Sequence, residues 1–458
     1  MNSGGKAINN QLSQQPPDSP AQPANEGYLW YWKAAGYLAF PPVALYYGCK
    51  MLYSEKYRTG LRQRLSRYTV EELKNLSQGP YIWVHTVSVG ELQAARPLLR
   101  RLKQEYAHYK ILVSTVTETG QTLAYSLPEV DTAIYLPLDV SIFCRKSIQS
   151  IDPAAVIVLE TEIWPNFICT VASQGIPIFL VNARISDKSY RNYYRFRRIF
   201  APLLNQFTAI LAQSARDVER FLSLGTMPER LYQTGNLKFD SVTINEDIEE
   251  RRKWRNLFGV YNDEVLVIAG STFAGEELIL GKITGELQEH GFPLRLVIAP
   301  RHVERTDSIL KELSPLGLHV VRRSRLNDAP TDPPDVVILD TIGELRHVYS
   351  AADLVFMGKS LTERGGQNPI EPAAWGKAIL YGPHMQNFRD VAELLESTGG
   401  AVRVQNKDDL LNQVARLCQS PRECNEMGLR AREIVQQSQG ALEEIMKVIR
   451  TRFMPQKV

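Results

Sequence analysis

From residue 81 onward the chain is a succession of short apolar runs rich in Val and Ile, each followed by a stretch of helical amphipathic spacing. Runs that are apolar throughout, rather than alternating with polar positions, belong to parallel strands covered on both faces. In the first half the pattern predicts strands at Tyr81–Val87, Ile111–Thr117, Ala133–Leu136, Ala155–Glu160, Ile178–Asn182 and Ala209–Ala212. The second half repeats the plan at Val265–Ala269, Leu294–Ala299, His319–Arg322, Val336–Leu339, Leu354–Met357, Ala378–Leu380 and Ala401–Val404. Between the halves, Lys238 to Arg255 is charged and carries no strand pattern. The expected architecture is α/β: two doubly wound Rossmann-like domains, 55–240 and 256–436, facing a central cleft. A linker at 241–255 joins them, and 437–458 forms a C-terminal helix and tail. Ligands of such sheets bind beyond the carboxyl ends of the strands, so the residues that follow each apolar run are the candidates for chemistry.

The N-terminus has a different character. Residues 1–27, dominated by Gln, Asn, Pro, Ser and Ala, have little to bury and read as a disordered tail. In 28–54, Ala34 to Cys49 carries no charge, and Tyr28, Trp30, Tyr31, Trp32, Tyr46, Tyr47 and Tyr53 crowd its ends, as aromatic residues do at a membrane boundary. The uncharged core is 16 residues long and contains Pro41-Pro42, whereas a clean span wants about 20. A short or kinked anchor and a full span both fit; a secretory signal does not. Lys50, Lys56, Arg58, Arg62, Arg64 and Arg67 follow, against the single acid Glu55. This basic cluster places the main body on the cytoplasmic face and would attract anionic headgroups. The alternative is a buried first helix of a globular domain.

Composition narrows the function. With 44% hydrophobic and 22% charged residues the chain is globular. Its 53 basic and 50 acidic residues are too evenly balanced to argue for nucleic acid. The five cysteines are scattered, without a CxxC pair, which fits neither a disulfide framework nor a zinc site. A GxxxxGK[ST] loop, a GxGxxG after the first strand, an HExxH and a DxD pair are all absent, so kinase, dehydrogenase and metalloprotease readings lose their basis.

The strand ends are polar. The first strand runs into Ser88-Val89-Gly90-Glu91, where Ser-x-x-Glu matches a capping box and Glu91 alternatively offers a carboxylate base at the cleft. Thr117–Gly120, Pro137–Asp139, Glu160–Glu162 with Trp164–Asn166, and Asn182–Arg184 add a polar wall suited to sugar hydroxyls, although each taken singly also reads as a helix cap. In the second half Gly270–Thr272, Pro300–His302, Ile342–Glu344 beside Asp340, and Gly365–Pro372 occupy successive strand ends. Glycines opening a helix expose amides to an anion. Glu371, three residues after Asn368, can accept hydrogen bonds from ribose hydroxyls, and Arg301 suits a phosphate. The combination points to a nucleotide.

Taken together, HTVSVGE (85–91), ETEIWPN (160–166), NARIS (182–186), TGNLKFD (234–240), GST (270–272), PRHVER (300–305), GEL (343–345), GGQNPIEPA (365–373) and GPHMQNF (382–388) resemble the bacterial 3-deoxy-D-manno-octulosonic acid (Kdo) transferases of lipopolysaccharide assembly. The resemblance spans roughly residues 28–430, with the motifs in the family's order. It implies a GT-B glycosyltransferase with an N-terminal membrane-anchor helix, on the cytoplasmic face of the inner membrane. The donor would be CMP-Kdo, bound by the C-terminal domain, and the acceptor the lipid A precursor, bound by the N-terminal domain. It places the general base on Glu91, transition-state support on Glu160 and Lys238, and the CMP site on Pro300, Arg301, Ile342, Gly343, Glu344, Asn368, Pro369, Ile370 and Glu371. Phe273 stands where the family usually has His, Gln367 in a usual Gly-Gly-His-Asn, Lys359 in a usual Gly-Gly-Ser-Leu and Leu138 in a usual Pro-Tyr-Asp.

The expected reaction is inverting displacement of CMP by an acceptor hydroxyl. Without a DxD motif neither an obligatory metal nor a cofactor is expected, so Arg301, Lys238 and amides near Asn368 must stabilise the leaving phosphate. Two other functions share the plan: a nucleotide-sugar 2-epimerase-like isomerase, which needs no anchor, and a non-catalytic, membrane-tethered nucleotide-sugar binding protein, which would have no use for Glu91 or Glu371.

Overall fold

The computed structural model describes residues 29–53, 59–244, 247–261 and 263–453; the expected tail at 1–27 lies outside them. The chain divides into two compact units, one formed by 1–241 with 439–458 and the other by 242–438.

The first unit is built on a parallel sheet of seven strands: β1 (Tyr81–His85), β2 (Lys110–Thr115), β3 (Thr132–Tyr135), β4 (Pro153–Leu159), β5 (Ile178–Ala183), β6 (Ala209–Ala212) and β7 (Leu231–Gln233). Their order is β3-β2-β1-β4-β5-β6-β7. The sheet changes direction between β1 and β4, which makes the carboxyl ends of those two strands its switch point. Side chains of β1 divide between two cores, Tyr81 and Trp83 on one face and Ile82 and Val84 on the other. This is why the strand is apolar throughout instead of alternating. The second core is completed from far along the chain. Helix Ala441–Arg452 contributes Ile445, Met446 and Ile449, and Phe453 follows. Asp240 fixes this return by accepting the Gly440 and Leu442 amides, each at 2.7 Å.

Residues Leu29–Tyr53 form one continuous helix that contains Pro41 and Pro42. Gly36 permits its closest approach to the body, since a Cβ there would lie 2.8 Å from Asn166 Nδ2 and 3.2 Å from the Asp139 carbonyl. One turn to either side, Trp32 packs on Phe200 and Phe40 on Phe143. Trp30, Tyr31, Tyr37, Leu38 and Leu45 face solvent, Leu38 with 78% of its surface. The helix is therefore packed along one side and exposes apolar side chains elsewhere. Among the described residues no helix is long and apolar enough to cross a membrane. Of the basic cluster, Lys56 and Arg58 lie outside the described residues, and Arg64 turns inward, donating to the Val116 carbonyl with its guanidinium over the Tyr135 ring.

The second unit is built on another seven-stranded parallel sheet, with β8 (Val265–Thr272), β9 (Leu294–Pro300), β10 (Val320–Arg322), β11 (Val336–Ile338), β12 (Leu354–Met357), β13 (Ala378–Tyr381) and β14 (Ala401–Arg403). Their order is β10-β11-β9-β8-β12-β13-β14, so the switch point lies between β8 and β12. The stretch 241–255, expected as a linker, contains most of a helix, Ile248–Leu257. Its charges are committed: Arg251 and Arg255 bind Asp353 at 2.7 and 2.8 Å. Asp353 in turn accepts the Leu266 amide at the start of β8. A cavity of about 570 Å³ beside this network, lined by Arg251, Arg255, Asp353 and Lys377, opens at the amino ends of the strands, away from the switch point.

Candidate active site

In the first unit the switch point carries the acids. Ser88 caps helix Val89–Glu105 by accepting the Glu91 amide, but Glu91 does not complete a capping box. Its Oε2 accepts the Val87 amide at 2.7 Å and its Oε1 the Ser88 hydroxyl at 3.1 Å. At Thr69 and Glu72, by contrast, both reciprocal bonds of a capping box form. Burial, together with the nearby negative charges of Glu160 and Glu162, raises the Glu91 carboxyl to about 7. A carboxylate whose pKa sits near neutrality is poised to take a proton there.

Across the switch point, Glu160 follows β4 with φ +56°. Its Oε1 accepts from Lys238 Nζ at 2.9 Å and its Oε2 pairs with Arg184 Nε at 3.3 Å. Although burial opposes ionisation, the two cations hold the Glu160 carboxyl below its ordinary value. Lys238 is aimed by Asn182, which has φ +57° and whose Oδ1 accepts the Leu237 amide at 2.9 Å. The unit thus brings Glu91, Glu160 and Lys238 together and adds Arg184, whose place in the sequence alone read as polar wall or cap. Two neighbouring carboxylates with pKa values pushed apart mark distinct roles, one group titrating near neutrality and one permanently charged.

Other residues of the expected polar wall are engaged in local structure. Asp139 accepts the Asn166 and Phe167 amides at 3.2 and 2.8 Å, closing the start of helix Pro165–Ser173. Thr117 caps the helix that follows β2. His85 is fully buried against Ser114, and burial lowers its imidazole to about 4.

In the second unit Pro300 ends β9, and Arg301 is exposed just beyond it. Glu371 is half-buried, and burial raises its carboxyl against the opposing influence of Asn368, Arg346 and Arg301. Asn368 Nδ2 donates to Glu371 at 3.3 Å, while Asn368 Oδ1 accepts the Ile370 amide. Ile342 exposes 86% of its surface beside Gly343 at φ +90°, an open apolar contact. Glu344 is not open; it is held by Arg323 at 2.9 Å and by the Thr341 hydroxyl. The glycine-led helix expected to present its N-terminus to phosphate is only five residues long, Ile370–Ala374, with Pro369 as its N-cap. So short a helix has little macrodipole, and one of its first amides is already taken by Asn368.

Glu276, in the first turn of the helix that follows β8, is the organiser of this site. Wholly buried, it accepts the amides of Phe273, Lys359, Ser360 and Leu361 at 2.9–3.0 Å, and so ties the end of β8 to the loop after β12. Among the described residues no group of three His, Cys, Asp or Glu side chains is arranged to hold a metal ion.

Paired seven-stranded parallel sheets of this topology, each with a polar switch point, define the GT-B class of fold. Solved structures of the same architecture include a glycosyltransferase from Rickettsia africae (TM-score 0.54, 11% identity, covering 83% of this chain and all of that one) and a UDP-GlcNAc 2-epimerase from Neisseria meningitidis (TM-score 0.55, 13% identity, 81% and 99%). The fold alone is thus common to transferases and epimerases. Sequence separates them. Residues 59–241 match the family model of 3-deoxy-D-manno-octulosonic-acid transferase, and the chain is 31% identical over 414 residues to the 3-deoxy-D-manno-octulosonic acid transferase of Haemophilus influenzae, covering 90% of this chain and 95% of that protein. The chain belongs to the Kdo transferase family and is a glycosyltransferase, which sets aside the isomerase and the non-catalytic binding protein.

Proposed function

We propose that the enzyme transfers Kdo from CMP-Kdo to a sugar hydroxyl of the lipid A precursor, with inversion, without a metal, and with Glu91 as general base. The observation that carries this reading is the Glu91 carboxylate itself, oriented by the Val87 amide and the Ser88 hydroxyl and raised to about 7 beside a Glu160 that stays ionised. The acceptor hydroxyl gives its proton to Glu91 as its oxygen bonds to the anomeric carbon. The bond from that carbon to the phosphate oxygen breaks on the opposite face, and the electron pair leaves with CMP. General-base assistance of this kind is worth about 10²–10⁴-fold. Glu160, Lys238 and Arg184 supply fixed charges around the reacting centre, and Arg301 offers a cation to the departing phosphate. In this reading Glu371 and Asn368 would meet the ribose, and exposed Ile342 would offer an apolar contact to the base. Incubation of the purified protein with CMP-Kdo and a lipid A precursor tests the reading directly, because a product heavier by one or more Kdo units is required. If CMP-Kdo is consumed with no such product, the acceptor assignment is wrong.

The acceptor is a lipid, and the proposed site of action is the cytoplasmic surface of the inner membrane. Two features support it: the apolar side chains exposed on helix Leu29–Tyr53, and a second strip that the sequence reading passed over. In the latter, Arg191, Arg195, Arg197 and Arg198 are exposed among exposed Tyr194, Phe196 and Ile199, and the Trp32–Phe200 and Phe200–Tyr193 ring contacts connect this strip with the N-terminal helix. Aromatic and basic residues side by side suit an interface of acyl chains and anionic headgroups. Deletion of residues 1–54 is expected to leave a folded body that floats with anionic liposomes only partly, and less so at high salt, because the arginine strip remains and is screened. Flotation of the truncated protein equal to that of the intact chain, in both low and high salt, removes the helix from the membrane contact.

A further inference from the structure

The switch point of the second sheet holds a cation with no assigned role. Lys359 lies just beyond the end of β12, in the left-handed region at φ +56°. A lysine there carries backbone strain that a glycine would not. The conformation is imposed from two sides. The Lys359 amide is bound by Glu276 at 2.9 Å, and the Lys359 carbonyl accepts the Gly366 amide at 2.7 Å. The preceding Gly358 lies so close to β8 that a Cβ would stand 2.4 Å from the Ser271 carbonyl oxygen. The backbone of residue 359 is thus locked to the rim of the crevice between β8 and β12, where ligands of such sheets bind.

The side chain is held without being neutralised. Lys359 Nζ lies 4.8 Å from the centroid of the Phe273 ring at the end of β8, and that ring meets His302 edge-on at 5.6 Å. An aromatic face attracts an ammonium but leaves its charge uncompensated. Among the described residues Lys359 makes no ion pair, and its stem runs beside Gly365, where a Cβ would stand 3.3 Å from Lys359 Cε. Lys359 is half-buried, and Arg301, which is exposed, lies beyond β9 on the other side of β8. Three adjacent strand ends therefore present, in order, a guanidinium, an aromatic ring and an ammonium resting on that ring.

We propose that Lys359 is a donor-contact residue, its ammonium binding an oxyanion of the nucleotide sugar with the Phe273 ring as its rest. The proposal rests on the CMP-Kdo reading. That donor carries two oxyanion sources, the phosphate and the sugar carboxylate. An ammonium with rotatable donors suits either.

Two variants keep the test independent of folding. Lys359→Met retains the stem and removes the charge, and Lys359→Gly relieves the positive φ, so it folds at least as well as the parent. Binding of CMP and of cytidine is read by calorimetry, and the donor KM and kcat by transfer. If the phosphate is the contact, both variants bind CMP about tenfold more weakly and cytidine as before. If the carboxylate is the contact, CMP affinity is kept while the donor KM rises about tenfold with kcat maintained. Lys359→Arg restores most of the loss in either case. CMP affinity and donor KM both within about twofold of the parent in both variants would overturn the proposal. Failure of the unmodified protein to bind CMP overturns the donor reading itself, and this assignment with it.

Discussion

Glu91→Gln is expected to lower the transfer rate on the order of 10²-fold or more while leaving CMP affinity unchanged. Gln keeps the shape: its Oε1 can accept the Val87 amide while its Nε2 donates to the Ser88 hydroxyl oxygen, so the local fold survives, but it has no proton affinity to offer the acceptor. The pH dependence gives a second reading. Glu91 must be ionised to act, so transfer by the parent rises with pH through about 7, the value to which burial, Glu160 and Glu162 lift the carboxyl. Stability moves in the opposite direction. A carboxyl whose folded pKa lies above its unfolded one makes the folded state bind more protons, so it destabilises progressively as pH rises from about 4.5 towards 7. Glu91→Gln is therefore expected to melt higher than the parent at pH 8 and nearly with it at pH 4. A variant that transfers Kdo at the parental rate leaves Glu91 a structural residue.

Lys238→Met carries the second large effect. The substitution takes away one of the two cations that keep Glu160 ionised and leaves a buried carboxylate with Arg184 alone. Breaking a buried pair from one side costs about 3–5 kcal/mol, and the remaining Arg184 puts the expectation near the lower end. The loss depends on pH with a definite sign. Glu160 has a depressed folded pKa, so its pairing stabilises above the unfolded value and fades as pH falls through the folded one. The melting-temperature gap between Lys238→Met and the parent should thus be widest near pH 7 and close on acidification below about 4. Transfer should fall about 10²-fold, the scale of removing one fixed charge from a reacting centre. Lys238→Arg should recover much of the stability. A gap that is the same at pH 7 and pH 3.5 would mean that Lys238 acts through packing and not through Glu160.

Much of this was legible in the chain because buried parallel strands are continuous apolar runs. Every strand but one coincides with such a run. The exception, β7, is three residues long with only Leu231 buried, too short and too polar to register. The strand ends offered Glu91, Glu160 and Lys238 as candidates through family likeness, but their convergence depends on contacts no local pattern carries. Lys238 and Glu160 are 78 residues apart, and Asn182 sets the turn that aims the lysine. Glu276 sits in the first turn of its helix, yet its four amide partners come from two loops, one of them more than 80 residues away. Gly365-Gly366 and Pro369 read as a helix start, and a helix does follow, five residues long before the chain turns into β13. The charged run after Lys238 reads as a linker without a strand pattern; that its arginines are paired was not legible because their partner, Asp353, lies about a hundred residues later.

The return of Gln439–Val458 to the first unit has a bearing on how the protein is made. One of the two apolar cores beside the first sheet stays open on the nascent chain until Ile445, Met446, Ile449 and Phe453 arrive, and the whole of 242–438 is synthesised in between. At about 5–20 residues per second that interval lasts roughly 10–40 s. Throughout it the unit that begins first carries an uncovered apolar surface, and by its end the unit that begins second has all of its residues. The usual vectorial order, with the N-terminal domain finished before the next emerges, is reversed here. The helix that closes the first unit acts as a late check on completeness: any ribosome that stops within the second unit releases a chain whose N-terminal core has never been sealed.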